Sequence, residues 1–324
     1  MVRVHRRSAI LQWVGWVRCR ATRMIEATRS VTSGAVIGKW LAIAVICVAC
    51  QAASPRALAQ ATEGGDLSIE LVDPKVLRVC ADPRNLPFSN EQGEGFENKL
   101  AQFLAEKLGK RLAYTWYPQA PGFVRNTLGS YKCDVIMGYP QGNDLVQSTN
   151  PYYRTSYALV FKPDAALDGI DTLGDARLKD KRIGIVAGTP PSNTIVVNGL
   201  MTHAKPYPLV IDTRFDSSAE AMIKDLAAGT IDVGVLWGPM AGYYAKQTNP
   251  AMAVVPLTKE TTGPPLVYRI TMGVRAADQE WKRALNRLIE ENRPAINELL
   301  LGYGVPLLDE SNQPITRASL PKKP

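Results

Sequence analysis

The stretch LRVCADPRNLPFSNEQGEGFENKLAQFLAEKLG, residues 77–109, decides the fold. Val76–Cys80 is a short β-type run. Phe96, Leu100, Phe103, Leu104 and Leu108 follow at helical spacing, and Gly109 stands where a helix stop takes a left-handed residue. Working outward, Leu112–Tyr117 reads as the next strand. Pro121 suits the first turn of a second helix over PGFVRNTLGS, and Asp134–Tyr139 is a third strand.

The same order of elements returns later. Arg182–Ala187 reads as a strand, and Thr189 to about Met201 as a helix opened by Pro190 and Pro191. Leu209–Asp212 reads as a strand. Ser217 to Ala228 is a helix with a Ser217/Glu220 capping box and Gly229 as its stop, and Ile231–Trp237 closes the set. Two β-α-β-α-β units predict an α/β protein of two lobes, each a mainly parallel sheet flanked by helices. Leu266–Arg275 is a further strand. Asp278–Gly302 is an amphipathic helix broken at Pro294, with Trp281, Leu285, Leu288 and Ile289 on its apolar stripe.

These last elements are too few for a third domain, so they return to the first lobe. The chain then crosses twice, near Phe161–Pro163 and near Thr261–Pro265, and two crossings imply a hinge and a cleft. The expected division is 76–162 plus 266–324 for lobe 1 and 163–265 for lobe 2.

The 324 residues carry a net charge of +8, but residues 1–60 hold nine of the 38 Lys/Arg and one of the 30 Asp/Glu. The remaining 29 of each sign cancel, which excludes a nucleic-acid footprint. The basic leader precedes WLAIAVICVAC (Trp40–Cys50), an apolar run of signal-peptide length and too short to span a membrane. Ala57-Leu58-Ala59 supplies a cleavage pattern. Residues 1–59 therefore read as a signal peptide and 60–75 as a tether, which predicts a periplasmic protein with no membrane span in its mature chain. Loss of the leader leaves two cysteines, Cys80 and Cys133, and one histidine, His203. Histidine-rich metal sites and Ser/Cys–His nucleophile pairs have almost nothing to draw on.

The opening stretch resembles type II periplasmic solute-binding proteins, as do KCDVIMGYP, NPYYRTSYALVF, RIGIVAGT and GTIDVGVLWGPMAGYY. The resemblance implies a bilobal fold with its ligand between the lobes. The amino-acid receptors of that family hold the ligand carboxylate with an arginine after the third strand, where this chain has Tyr139-Pro140-Gln141-Gly142-Asn143-Asp144-Leu145. Trp237 stands where they place an aspartate for the ammonium. Each lost charge-assisted hydrogen bond costs about 1.5–3 kcal/mol, so free amino acids are poor ligands. The combination of CADPRNLPFSNEQGEGFENKLA, GFVRNTLGSYKCDVIMGYPQGNDLV and NPYYRTSYALVF is similar to the J proteins (MxaJ/XoxJ type) that accompany PQQ-dependent methanol dehydrogenases. That likeness implies an accessory protein assisting maturation or activation of the dehydrogenase, and the residues themselves offer no acid–base pair for an enzyme and no site for a cofactor or metal. The alternative is a receptor delivering an uncharged or aromatic solute to a membrane importer.

The expected cleft residues follow from strand ends, where open α/β sheets bind ligands. They are Asp82, Asn85 and Phe88 after the first strand, Tyr139 and Gln141 after the third, and Trp237 in the second lobe. Gly188 and Thr189 open a helix whose N-terminus suits an anionic or carbonyl oxygen. Tyr152, Tyr153 and Trp116 read as packing residues, His203 as solvated, and Glu97 as exposed on the first turn of its helix. No catalytic pair emerges. For Cys80 and Cys133 two arguments conflict: an oxidising compartment favours a disulfide, whereas normal register between neighbouring parallel strands holds them too far apart.

Overall fold

The computed structural model describes residues 70–163 and 165–320. The leader over 1–59 and the first part of the tether lie outside the described residues. The main strands are β1 (Val76–Ala81), β2 (Arg111–Trp116), β3 (Val135–Pro140), β4 (Tyr153–Phe161), β5 (Ile183–Val186), β6 (Ala204–Tyr207), β7 (Val233–Trp237), β8 (Ala253–Pro256) and β9 (Val267–Val274). The helices are α1 (Phe96–Leu108), α2 (Phe123–Asn126), α3 (Pro190–Val197), α4 (Ser218–Ala228), α5 (Gly238–Lys246), α6 (Gln279–Glu291) and α7 (Arg293–Gly302).

Strand order is β2-β1-β3-β9 in one half and β6-β5-β7-β4 in the other, joined where β9 pairs β4. The first half has three parallel strands closed by antiparallel β9; in the second, β6, β5 and β7 are parallel, and antiparallel β4 pairs with β7 and also with β8. The fold is thus α/β and two-lobed. The first lobe packs Leu77, Val79, Phe96, Leu100 and Leu104 against Met272, Trp281, Leu285 and Ile289 from the returning C-terminal segment. The second lobe packs both faces of its sheet, with Leu159, Ile183 and Val233 on one side and Met222, Leu226 and Leu236 on the other.

Local chemistry explains most boundaries. Gly109 and Gly229 stop α1 and α4 in the left-handed conformation, and Ser217 accepts the Glu220 N–H at the start of α4. The second helix is only four residues long and starts at Phe123, with Pro121 before its cap rather than in its first turn. Leu209–Asp212 is not a strand. Leu209 and Val210 are exposed, and the edge position is taken by Ala204–Tyr207, paired with Ile183–Val186. Pro206 obscured that strand in the sequence, and an edge strand tolerates a proline because one side of it carries no ladder. Helix α5 has a weak sequence signature because of its glycines. A Cβ at Gly242 would lie 1.8 Å from the Gly304 carbonyl, so close packing requires the glycine.

The crossing falls earlier than the sequence suggested. β4 pairs with β9 from Tyr153 to Ser156 and with β7 from Tyr157 to Phe161. The chain returns beside the same residue, since Leu257 N–H donates to the Tyr157 carbonyl and Tyr157 N–H to the Leu266 carbonyl. Residues 157–161 therefore belong to the second sheet. A single nine-residue strand serving both sheets leaves no composition break at the switch.

Cys80 and Cys133 are disulfide-bonded, with Cα atoms 5.4 Å apart. The register argument fails for a local reason. Cys80 lies opposite Ile136, but Cys133 precedes the strand, and Asp134 N–H donates to the Arg78 carbonyl at 2.8 Å. The bend there turns Cys133 back toward β1. The bridge joins a small cluster with Phe123, Leu128 and Ile136.

Candidate functional site

The carboxyl end of β1 meets the second lobe. β1 has β2 on one side and β3 on the other, so the connections leave it in opposite directions, and this switch point is where open α/β sheets leave a ligand crevice. Asp82 follows β1 and is buried, although nothing in the sequence distinguished it from a turn residue. Its carboxylate accepts the backbone N–H groups of Arg84 (2.8 Å) and Gln119 (2.6 Å), and the Thr213 hydroxyl of the second lobe lies 3.4 Å from both oxygens. Two further contacts cross the seam: the Arg84 guanidinium donates to the Arg214 carbonyl, and the Tyr244 hydroxyl donates to the Leu86 carbonyl at 3.3 Å. The sequence reading included none of Thr213, Arg214 or Tyr244, because partners across a seam carry no local motif.

The other expected residues divide by position. Asn85 donates to the Gln119 side chain at 2.9 Å, beside Asp82. Phe88 faces inward against Phe96, with ring centroids 5.3 Å apart, and packs on the first core. Tyr139 is half-buried against the disulfide cluster, and burial raises its phenol above the usual range. Gln141 is exposed, with its N–H on the Arg269 carbonyl at 2.9 Å. Trp237 ends β7 opposite Tyr157, and its ring meets those of Tyr157 (5.1 Å) and Tyr268 (5.6 Å) edge-on. This aromatic trio lies where the chain crosses between the lobes.

Gly188 and Thr189 do not form the expected anion cradle. The Thr189 hydroxyl donates to the Val186 carbonyl at 2.6 Å, and the amides of Thr189 and Ser192 are spent within the turn. Pro190 and Pro191 carry no N–H, so this helix start has few donors to offer.

Glu97 is the main residue that the sequence misplaced. It is half-buried, and its carboxyl lies over Gly138 in β3, where a Cβ would come within 2.2 Å of Oε1. Burial, with repulsion from Asp82, pushes its pKa up to about 8. Its field also reaches Tyr114, Tyr152 and Tyr153, all of whose phenols are raised chiefly by burial. The sequence signal was a Gly in β3 opposite an acidic first helical turn, but only the register of α1 on the sheet brings the two together. Tyr152 and Tyr153 are buried and His203 is exposed, as expected. Among the described residues no group of three His, Cys, Asp or Glu is arranged to hold a metal, and no helix is long and apolar enough to cross a membrane.

Two lobes of this strand order, joined by two crossings, define the class of type II periplasmic binding proteins. No family model matches the chain. It is 29% identical over 287 residues to Protein MoxJ of Methylorubrum extorquens, covering 84% of this chain and 93% of that protein. The crystal structure of the periplasmic binding protein XoxJ from Methylobacterium extorquens AM1 superimposes with a TM-score of 0.61 at 44% identity, over 72% of this chain and all of XoxJ. MxaJ from Methlophaga aminisulfidivorans MPT gives the same TM-score of 0.61 at 28% identity and is also covered in full. The chain belongs to the MxaJ/XoxJ family of periplasmic binding proteins.

Proposed function

We propose that the protein is a non-enzymatic periplasmic accessory factor of a PQQ-dependent alcohol dehydrogenase, methanol dehydrogenase being the case the family resemblance implies. It assists maturation or activation by receiving a segment of the dehydrogenase at the interlobe cleft. Asp82, Asn85, Tyr139, Gln141 and Trp237 form the proposed contact surface, and lobe closure about Tyr157 is the proposed hinge movement.

The observation that carries this reading is the chemistry of the two anchor positions. Gln141 offers no positive charge to a carboxylate. Trp237 is committed to Tyr157 and Tyr268 and offers no negative charge to an α-ammonium. A receptor for free amino acids needs both charges, whereas a surface for a folded or partly folded partner needs neither. The whole-length match to XoxJ supports the same reading.

Native mass spectrometry of the protein isolated gently from its own periplasm tests it. The expected result is a co-isolated subunit of dehydrogenase size, whose catalytic activation in reconstitution depends on this protein. A bound mass of a few hundred daltons, with no partner and no effect on dehydrogenase activity, overturns the accessory role in favour of a solute receptor.

A further inference from the structure

Among the described residues Glu97 is an acid without a counter-ion. None of them makes a hydrogen bond to its carboxyl, and the charged group that acts on it most is another acid, Asp82. The groups that face it are Asp82 after β1, Tyr114 on β2, and Tyr152 and Tyr153 at the start of β4, none of them basic. A second, independent feature lies at the same place. Tyr152 is fully buried, and its hydroxyl has no hydrogen-bond partner among the described residues. That hydroxyl lies 3.8 Å from the Cβ direction of Gly138, the same point that Glu97 Oε1 approaches to 2.2 Å. Buried hydroxyls are ordinarily satisfied, so an orphan beside the same point of Gly138 as an unpaired carboxyl requires an explanation.

The geometry points to a cation site at the carboxyl end of β3, in which Glu97 and the Tyr152 hydroxyl receive a primary ammonium group. Such a group brings three donors and one positive charge, and both oxygens can accept from it. Asp82 supplies field rather than a ligand atom, because its oxygens already accept from Arg84, Gln119 and Thr213. A divalent metal fits less well: hard cations take six or more oxygens, and no cluster of metal-ligating residues is present among the described residues. The site lies at the switch point, and Glu97 and Gly138 are partly exposed. The ammonium arrives either on a small amine or on a lysine side chain of a polypeptide segment.

The test is calorimetric titration of the purified protein with n-butylammonium, with Nα-acetyl-lysine N-methylamide, and with n-butanol as the uncharged control. Saturable binding of at least one cation, and none of the alcohol, is the expected result. Glu97→Gln keeps the shape and removes the charge, and is expected to weaken binding by about tenfold or more. Ligand near neutrality expels a proton from Glu97, so the heat varies with the ionisation enthalpy of the buffer. That dependence disappears well above pH 8, where the group is already ionised. Preference for the lysine derivative assigns the site to a polypeptide, and preference for butylammonium assigns it to a small amine.

Tyr152→Phe is a second variant, expected to weaken binding while keeping the ring, and it carries the test if Glu97→Gln fails to fold. Absence of saturable binding with both cations, or unchanged affinity in the folded variants, overturns the proposal. The titration requires no dehydrogenase, so its failure and that of the accessory role are separable.

Discussion

An acid lies at each end of β3, and the two are treated in opposite ways. Asp134, just before the strand, is fully buried between two arginines. Arg78 reaches it at 2.6 Å and Arg275 at 2.7 Å, and Arg275 also pairs with Asp278 at 2.7 Å. The indole N–H of Trp281 donates to the Asp134 carbonyl at 3.1 Å, which ties the returning C-terminal helix to the same point. Glu97, over the far end of the strand, has no cation and no hydrogen bond among the described residues, and burial pushes its pKa up to about 8. The amino end of the sheet is therefore finished internally, while the carboxyl end is left electrically unbalanced. In parallel α/β sheets the first arrangement serves stability and the second a ligand.

Removing the finished end gives the largest expected effect. Arg275→Met leaves the buried Asp278 without its arginine and Asp134 with Arg78 alone, which is expected to cost about 3–5 kcal/mol in denaturant unfolding. A loss below about 1 kcal/mol would mean that Arg78 alone neutralises the site. Next is the disulfide on the same side of the sheet. Replacing Cys80 and Cys133 together with serine opens a loop with a sequence separation of 53 and is expected to cost about 2–4 kcal/mol, read from the same unfolding curves.

At the other end the sign reverses. The folded pKa of Glu97 lies above its ordinary value of 4.5, so folding favours the protonated form. The stability this provides is complete below pH 4.5 and is lost progressively as pH rises to about 8. Glu97→Gln is accordingly expected to be more stable than the native chain near pH 8, by about 1–2 kcal/mol after allowance for partial exposure. That advantage shrinks toward pH 4.5. A pH-independent difference in melting temperature would show that Glu97 is ionised normally. The smallest effect belongs to Tyr152→Phe. Deleting a buried hydroxyl that has no partner is expected to leave stability unchanged or raise it by up to about 1 kcal/mol. A clear loss would reveal a hydrogen bond made by the Tyr152 hydroxyl.

The elements themselves were largely legible. The Phe96–Leu108 stripe ended by Gly109, the Ser217 cap, and the break before Pro294 are local signals with local causes. Misreadings arose where tertiary context overrode them. Pro206 sits in an edge strand, the apolar Leu209 and Val210 are left in solvent, and β4 changes sheets in mid-strand. The site was less legible. Asp82 and Trp237 lie at the strand ends where the pattern puts them, after β1 and at the end of β7. Phe88 was assigned to the cleft but packs inward, and Glu97 was assigned to solvent but lies over Gly138.

By itself the sequence determined the class of the fold and the neutral charge of the chain beyond residue 60. These follow from periodicity, caps and residue identity, all of which are local properties. Tertiary structure alone decided that Cys133 bends back to reach Cys80, that Thr213 meets Asp82 across the seam, and that Glu97 and Tyr152 converge on Gly138. Such pairings depend on register and on how helices lie against sheets. A shift of one residue along a strand turns a side chain to the opposite face, and spacing along the chain does not encode that choice.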